Sequence, residues 1–364
     1  MNTIKIFYSN RKRKKFLLKE EELNEMIVTK KFKKKKKNFF SLNYIINSGF
    51  LLKILFPIFI ILLFIYLIIY LYVYKKKQQK KNYFACFCSK ARQENRYARQ
   101  LIPYYLKLGV NKFIFLDNNL NNTEKLSDVL GDYKKSGLVD IYDLFGSKIG
   151  QSEFFEIVYE KYKNKCKWFL FFDFDEYLEM HFENNKSLIL NEFLPNPIFN
   201  NCEAILFNWL IYSDNDLVYY DNRSLLERFT EPYFACQANM IVKPIVRGGL
   251  NKTIFYPNSS NHVPHRNVTI CDSMGRLMIN YNDLAITPPI FKYGFLKHFN
   301  TKTADEYSDK IKRGANRNLP YNINERVKTF FKYNKFTEEK MKVFEKKLNK
   351  TFNRNGYREG FRGN

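Results

Sequence analysis

The stretch Trp168–Met180, WFLFFDFDEYLEM, runs five apolar residues straight into Asp173, Asp175 and Glu176. An unpaired carboxylate is costly to bury. These acids therefore belong where a buried strand leaves the core and meets solvent, a ligand or a metal. Alternate residues of an extended segment point to one side, so Asp173 and Asp175 can face one ligand together. Two neighbouring carboxylates repel and favour a cation between them. A hard divalent ion, Mn2+ or Mg2+, suits such oxygen ligands and can bridge to a diphosphate. Glu176 is expected to support these ligands from behind. Asp-x-Asp alone has little specificity, and the chain holds a second, Asp214-Asn-Asp216. His298, after the apolar residues of FLKHFN, is either a packed imidazole or a further metal ligand. The chain has no P-loop, G-x-G-x-x-G, G-x-S-x-G or H-E-x-x-H pattern, which argues against an NTPase, a dehydrogenase and the common hydrolases.

Elements that would hold these residues follow from periodicity. Tyr83–Ser89 reads as a buried strand, and Glu94–Gly109 has helical spacing at Tyr97, Leu101 and Tyr105 with Gly109 as its stop. Asn111–Asn119 is a second strand, Thr123–Gly137 a second helix, and Leu138–Leu144 a third strand. Gln151–Cys166 is a third helix, and Trp168–Glu176 is the fourth strand. This alternation predicts an α/β fold with a mostly parallel sheet flanked by helices. Ligands of such sheets bind beyond the C-terminal strand ends, which gathers Ser89–Arg92, Asp117–Asn119 and Asp173–Glu176 around one crevice. Later elements are less regular: a core strand at Glu203–Tyr212, and shorter pieces at Ser224–Phe229, Met240–Arg247 and Tyr293–Asn300. Thr303 and Glu306 form a capping box that opens a helix ending at Gly314.

Several blocks occur in a fixed order: ARQENRYARQLIPYYLKLGVNKFIFLDNN, WFLFFDFDEYLEM, NWLIYSDNDLVYYDNRSLLERF, KPIVRG and FLKHFNTKTADEYSDKIKRG. Together they resemble glycosyltransferases of family 92 and its family 2-like relatives, over about Tyr83 to Gly314. The resemblance implies a GT-A (Rossmann-like) fold and a metal-dependent, inverting hexosyltransferase that takes a nucleotide-sugar donor and a glycan or glycoconjugate acceptor. It implies Arg92, Glu94 and Asp117 near the nucleotide, Asp173 and Asp175 on the metal and diphosphate, and His298 as a further metal ligand. The adjacent histidines frequent in the family are split here as His262-Val-Pro-His265. Inverting transfer needs a base for the acceptor hydroxyl. The candidates are Asp214, which follows the core strand directly, Asp216 and Glu227. For Glu227 a salt bridge to Arg223 or Arg228 is the competing role. Trp209 and Tyr212 could stack on a sugar face.

The net charge of +25 is uneven. Residues 1–81 hold 20 Lys/Arg against 4 Glu, a net of +16, and the rest holds 41 against 32, a net of +9. The basic runs Arg11–Lys15 and Lys30–Lys37 suit anionic lipid better than nucleic acid, because Ile54–Tyr74 follows: an uncharged run that spans about 31 Å as a helix. The expected organisation is a basic tail (1–53), a transmembrane anchor (54–74), a stem (75–82), a transferase domain (83–320) and a basic helical tail (321–364). All six cysteines follow the apolar run, which suits an oxidising lumen and a type II, Golgi or ER orientation. Lysines flanking Tyr74 also permit a cytoplasm-facing transferase with a lipid-linked acceptor. A third reading is an inactive, membrane-tethered polyanion binder.

Overall fold

The computed structural model describes residues 49–78, 83–120, 122–144, 149–183, 186–255, 264–265, 267–278, 286–314 and 322–357. The chain divides into two units, residues 1–80 and 81–364. The two basic runs of the N-terminal tail, residues 79–82 of the stem and His262 lie outside the described residues.

Among its described residues the first unit contains one helix, α1 (Gly49–Gln78). Among the described residues, no helix is long and apolar enough to cross a membrane. The side chains described along α1 are those of residues 55–70, a shorter stretch than the ~20 residues a bilayer requires. Every one of them is exposed.

The second unit is built on one sheet. Its first half repeats strand and helix: β1 (Tyr83–Ala91), α2 (Asn95–Leu108), β2 (Lys112–Asp117), the short α3 (Leu126–Val129) and α4 (Gly131–Lys135), β3 (Val139–Asp143), α5 (Gln151–Tyr162) and β4 (Cys166–Phe171). The second half is β5 (Glu176–Met180), α6 (Leu190–Phe193), β6 (Ala204–Ile211), α7 (Leu225–Arg228), β7 (Val242–Arg247), β8 (Ile270–Asp272), β9 (Gly294–His298) and α8 (Ala304–Arg313). The strand order is β3-β2-β1-β4-β7-β6-β9-β5, with β8 beside β6. β1 pairs in parallel with β2 and β4, while β7 runs antiparallel between β4 and β6.

Why these strands are apolar throughout is visible in their side chains. Ala85 and Phe87 of β1 face the core under α2, whereas Cys86 and Cys88 face the core under α5. Both faces are covered, so alternation of apolar and polar residues is lost. In α2 the buried Tyr97, Ala98, Leu101, Ile102 and Tyr105 form one helical face, and Gly109 (φ 103°) ends the helix in the left-handed conformation. The helix expected over Thr123–Gly137 is two pieces that break at Leu130–Gly131, where the glycine has poor helix propensity. Two disulfides, Cys86–Cys166 and Cys202–Cys271, tie the second unit.

The stretch expected as a basic helical tail contributes α9 (Ile323–Tyr333) and α10 (Glu338–Leu348) to the second unit. Val327, Phe330, Met341 and Phe344 pack with Tyr307 and Ile311 of α8 in a core of their own. A basic composition hid these apolar stripes, which sit at helical spacing on one face.

Candidate active site

β1 and β4 are neighbours that carry their following chain in different directions, and ligands collect at such a switch. A crevice of about 370 Å³ opens there. From the end of β1 it takes Lys90, from the link to α2 Arg92 and Glu94, and from the turn after β4 Asp173, Phe174 and Asp175. Gln151 at the start of α5, Trp209 of β6, His298 of β9, Lys310 and Arg313 of α8 and Arg326 complete much of its wall.

The acidic turn is set by alternation. Phe172 and Phe174 are buried in the core, which leaves Asp173 and Asp175 on the other side of the backbone. Glu176 locks the turn: its Oε2 accepts from the Asp173 amide at 2.8 Å. Asp173 is one-third exposed and accepts from Gln151 Nε2 (2.6 Å) and Lys243 Nζ (2.6 Å). Lys243 also lies 3.1 Å from Glu176 Oε1. Asp175 is buried, with Lys302 Nζ at 2.7 Å and Lys310 Nζ at 3.5 Å from Oδ2, and His298 Nε2 at 3.6 Å from Oδ1. Across the crevice, Arg313 pairs with Glu94 and donates to the Arg92 carbonyl, while Arg92 donates to the Arg313 carbonyl at 3.0 Å. This reciprocal clamp fixes α8 against the end of β1.

Burial alone would lift the Asp175 carboxyl, but the ammonium groups of Lys302 and Lys310 outweigh it and hold the acid well below the usual range. Burial pushes Glu176 up to about 8 against the opposing charge of Lys243. It also pushes Lys310 down to about 8 and lowers His298, which keeps that imidazole neutral at pH 7. The His298 and Trp209 rings lie 4.1 Å apart at a tilt of 56°, which places Trp209 beside the imidazole in the crevice wall.

Of the expected residues, Arg92, Glu94, Asp173, Asp175 and His298 line one crevice. Asp117 does not. It is fully buried and its carboxylate accepts from the amides of Asn119 (2.9 Å) and Leu126. Asn119 in turn accepts from the Gln93 amide, so Asp117 shapes the crevice from behind. Asp214 and Glu227, expected as bases, are absent from the crevice wall. Asp214 is buried in an ion pair with Lys340 of α10 at 2.7 Å. Glu227 is exposed and caps the one-turn α7, its Oε2 accepting from Ser224 N (2.8 Å) and Oγ (2.7 Å). The buried charge of that block is the next residue, Arg228, paired with Glu306.

The acids were expected to hold Mn2+ or Mg2+. As folded, the set does not fit that role. Asp173 is held by Lys243 and Asp175 by Lys302 and Lys310, so the carboxylates that would bind a divalent ion already face ammonium groups. Among the described residues, no group of three or more His, Cys, Asp or Glu is arranged to hold a metal ion. The lysines were the residues missed. One had a local signal: Lys243 stands alone within the apolar run MIVKPIV, and a lysine buried in a strand needs an acid. Lys302 and Lys310 had none, because their role depends on where α8 docks.

The family model for glycosyltransferase family 92 matches residues 81–355. A glycosyltransferase family 92 protein of Oryza sativa subsp. japonica is 28% identical over 113 residues, which are 31% of this chain and 19% of the rice protein. Among solved structures, S. aureus TarS 1-349 superposes with a TM-score of 0.31 at 10% identity, covering 73% of this chain and 71% of that one. The same protein in complex with UDP-GlcNAc gives 0.34 at 10% identity, covering 73% and 72%. With a family match that extends from just before β1 through α10, the chain belongs to glycosyltransferase family 92.

Proposed function

We propose that the second unit transfers a sugar from a nucleotide-sugar donor to a hydroxyl of a glycan or glycoconjugate acceptor. The observation that carries this reading is the crevice at the β1/β4 switch, where Asp173 and Asp175 sit among Lys90, Arg92, Lys310, Arg313 and Arg326. Carboxylates can accept hydrogen bonds from sugar hydroxyls, and fixed cations can take the charge that develops on a departing diphosphate. Lys310 and Arg313 are the favoured leaving-group cations, because α8 presents both from one face, three residues apart. With the acids already balanced by lysines, no step is routed through a metal. Inverting stereochemistry is the family-based expectation, and neither Asp214 nor Glu227 is assigned as the base.

The first unit serves as a single-pass anchor in this reading. It is supported by the exposed apolar side chains of α1 and by the uncharged run Ile54–Tyr74. The two disulfides in the second unit support an oxidising lumen and hence a type II arrangement in the Golgi or ER. Protease protection in sealed vesicles checks that orientation.

The transfer is tested with purified protein and a panel of nucleotide sugars, following release of the nucleoside diphosphate and the anomeric configuration of the product by NMR. Turnover with one donor, lost in Asp173→Ala together with donor binding, is the expected result. No turnover across the panel, with donor binding unchanged in Asp173→Ala, overturns it and leaves a polyanion-binding protein.

A further inference from the structure

The second unit carries seven Asn-x-Ser/Thr tripeptides, the acceptor pattern for asparagine-linked sugar. An Asn-rich chain produces such tripeptides by chance, so their setting in the fold decides which of them can serve. Four lie wholly within the described residues, at Asn222, Asn251, Asn267 and Asn349. Asn222 and Asn349 belong to helix ends: Ser224 caps α7, and Asn349 closes α10 in the left-handed conformation (φ 49°). Asn251 and Asn267 lie outside helix and strand, sixteen positions apart, and the fold brings their tripeptides together.

They meet on one carboxylate, that of Glu203, the residue before β6. Lys252 Nζ donates to both Glu203 oxygens at 2.8 Å and to the Asn267 carbonyl at 2.9 Å. Thr269 N donates to Glu203 Oε2 at 2.7 Å, and Glu203 N donates back to Thr269 O at 2.8 Å. In both tripeptides the middle residue holds the chain and the outer two meet solvent. Val268 is buried and Lys252 is held in the ion pair, while Asn251, Thr253, Asn267 and Thr269 are all exposed. The first tripeptide is also pinned at its flanks: Leu250 N donates to Tyr159 OH at 3.0 Å, and Ile254 N and Phe255 N donate to Glu156 Oε2 at 3.0 and 2.8 Å. Among the described residues, neither the Asn251 nor the Asn267 side-chain amide has a hydrogen-bond partner, so a substituent on it breaks no bond of the fold.

A disulfide borders the same patch. Cys202 precedes Glu203, and its partner Cys271 lies two residues past Thr269. Disulfides persist in an oxidising lumen, and exposed Asn-x-Ser/Thr tripeptides are modified in secreted chains. Along β6 the patch is remote from the crevice. Glu203 stands six residues before Trp209 of the crevice wall, about 20 Å at the usual strand rise.

We propose that Asn251 and Asn267 each carry an asparagine-linked oligosaccharide. Such a modification rests on the lumenal orientation proposed above. Nδ2 of each asparagine forms a bond to the anomeric carbon of an oligosaccharide carried on a lipid diphosphate. The bond from that carbon to the diphosphate oxygen breaks, the diphosphate leaves with its electron pair, and the amide releases one proton. The two sugars stand at the Glu203 end of β6 and leave the crevice, at its other end, open to donor and acceptor.

The test uses the full chain made in eukaryotic cells and kept in sealed microsomes, with protease protection and donor turnover read in the same samples. Peptide N-glycosidase converts an occupied asparagine to aspartate, which mass spectrometry locates. Conversion at positions 251 and 267 is the expected result. Asn251→Gln and Asn267→Gln should each remove one glycan step in gel mobility, and the double variant both. Thr253→Ala and Thr269→Ala, which keep the asparagines, should remove the same steps. Occupancy is read on the wild-type chain itself, so a variant that fails to fold does not decide the outcome. A protected domain with either asparagine bare overturns the proposal and leaves the orientation standing. An unprotected domain overturns both. Occupancy without turnover of any donor supports the glycans and fails the transferase reading, and turnover with either asparagine bare does the reverse.

Discussion

Arg228 offers the sharpest test of how the site is supported. Its guanidinium is fully buried and grips Glu306 with two parallel bonds, Nη1 to Oε2 at 2.7 Å and Nη2 to Oε1 at 2.9 Å. Glu306 also accepts from Tyr97 OH at 2.7 Å and Thr303 Oγ1 at 2.7 Å. One carboxylate thus joins α2, α7 and α8, and α8 carries Lys310 and Arg313 into the crevice. Arg228→Met keeps most of the volume but strands the carboxylate. Removing one partner of a buried pair costs about 3–5 kcal/mol, a sizeable part of the ~5–15 kcal/mol that holds a typical domain. Urea unfolding of residues 81–364 measures it. Arg228→Met/Glu306→Leu should cost less than the sum of its single variants, because an apolar pair of similar volume no longer leaves a charge behind. Donor KM should rise in Arg228→Met as α8 loosens. Glu227→Gln, one residue away on an exposed cap, should stay near wild type in stability and turnover. A loss below about 1 kcal/mol in Arg228→Met, the value of an exposed pair, would sink this reasoning. So would strictly additive costs in the double variant, or a Glu227→Gln protein that is stable yet inactive.

Other outcomes follow from the same geometry. Burial pushes Glu306 up, but the bonds and charge of Arg228 hold it below the usual carboxylate range; its stabilisation is therefore present above the unfolded carboxylate pKa and lost as pH falls through the folded one. In Arg228→Met burial should instead raise Glu306, so this acid limb disappears and the variant's deficit relative to wild type should shrink as pH falls. Asp214 behaves oppositely: burial raises it to about 6 despite Lys340, so wild type loses stability as pH rises from the ordinary carboxylate range through that value, and Asp214→Asn should flatten this limb with turnover within about threefold of wild type; a drop of 10²-fold, the scale of a lost general base, would restore Asp214 as a catalytic candidate. Lys310→Met should lower kcat by roughly 10²-fold, as expected of a lost oxyanion donor, while a change confined to KM would make it a binding group only. Transfer should survive a chelator within about twofold; a loss of tenfold or more that Mn2+ restores would show that the lysines yield Asp173 and Asp175 to a metal.

Much of the fold was legible in short windows. Apolar runs of strand length, helical spacing in α2 and the Thr303–Glu306 capping box are local patterns, and β1, β2, α2 and α8 form where expected within a few residues, whereas the fourth strand stops at Phe171, before the acids. The acids after β4 were legible for the same reason: a polar cluster at the end of a buried strand must lie at the sheet edge. What was not legible depended on distant packing. α9 and α10 were expected only as a basic helical tail, and nothing local says that their apolar residues pack against α8. Asp214 and Glu227 were favoured because each is an acid beside a recognisable block, and nothing near them in the chain says what they pair with.

The sequence by itself determined the alternation of strands and helices, the crevice at the strand ends and the acids that reach it. Only the tertiary structure decided how those acids are balanced. Lys243 meets Asp173 across 70 positions of chain and Lys310 meets Asp175 across 135. Periodicity over a dozen residues fixes which face of an element is apolar, but the partner of a buried charge is fixed by how distant elements dock, and that is a property of the packed core.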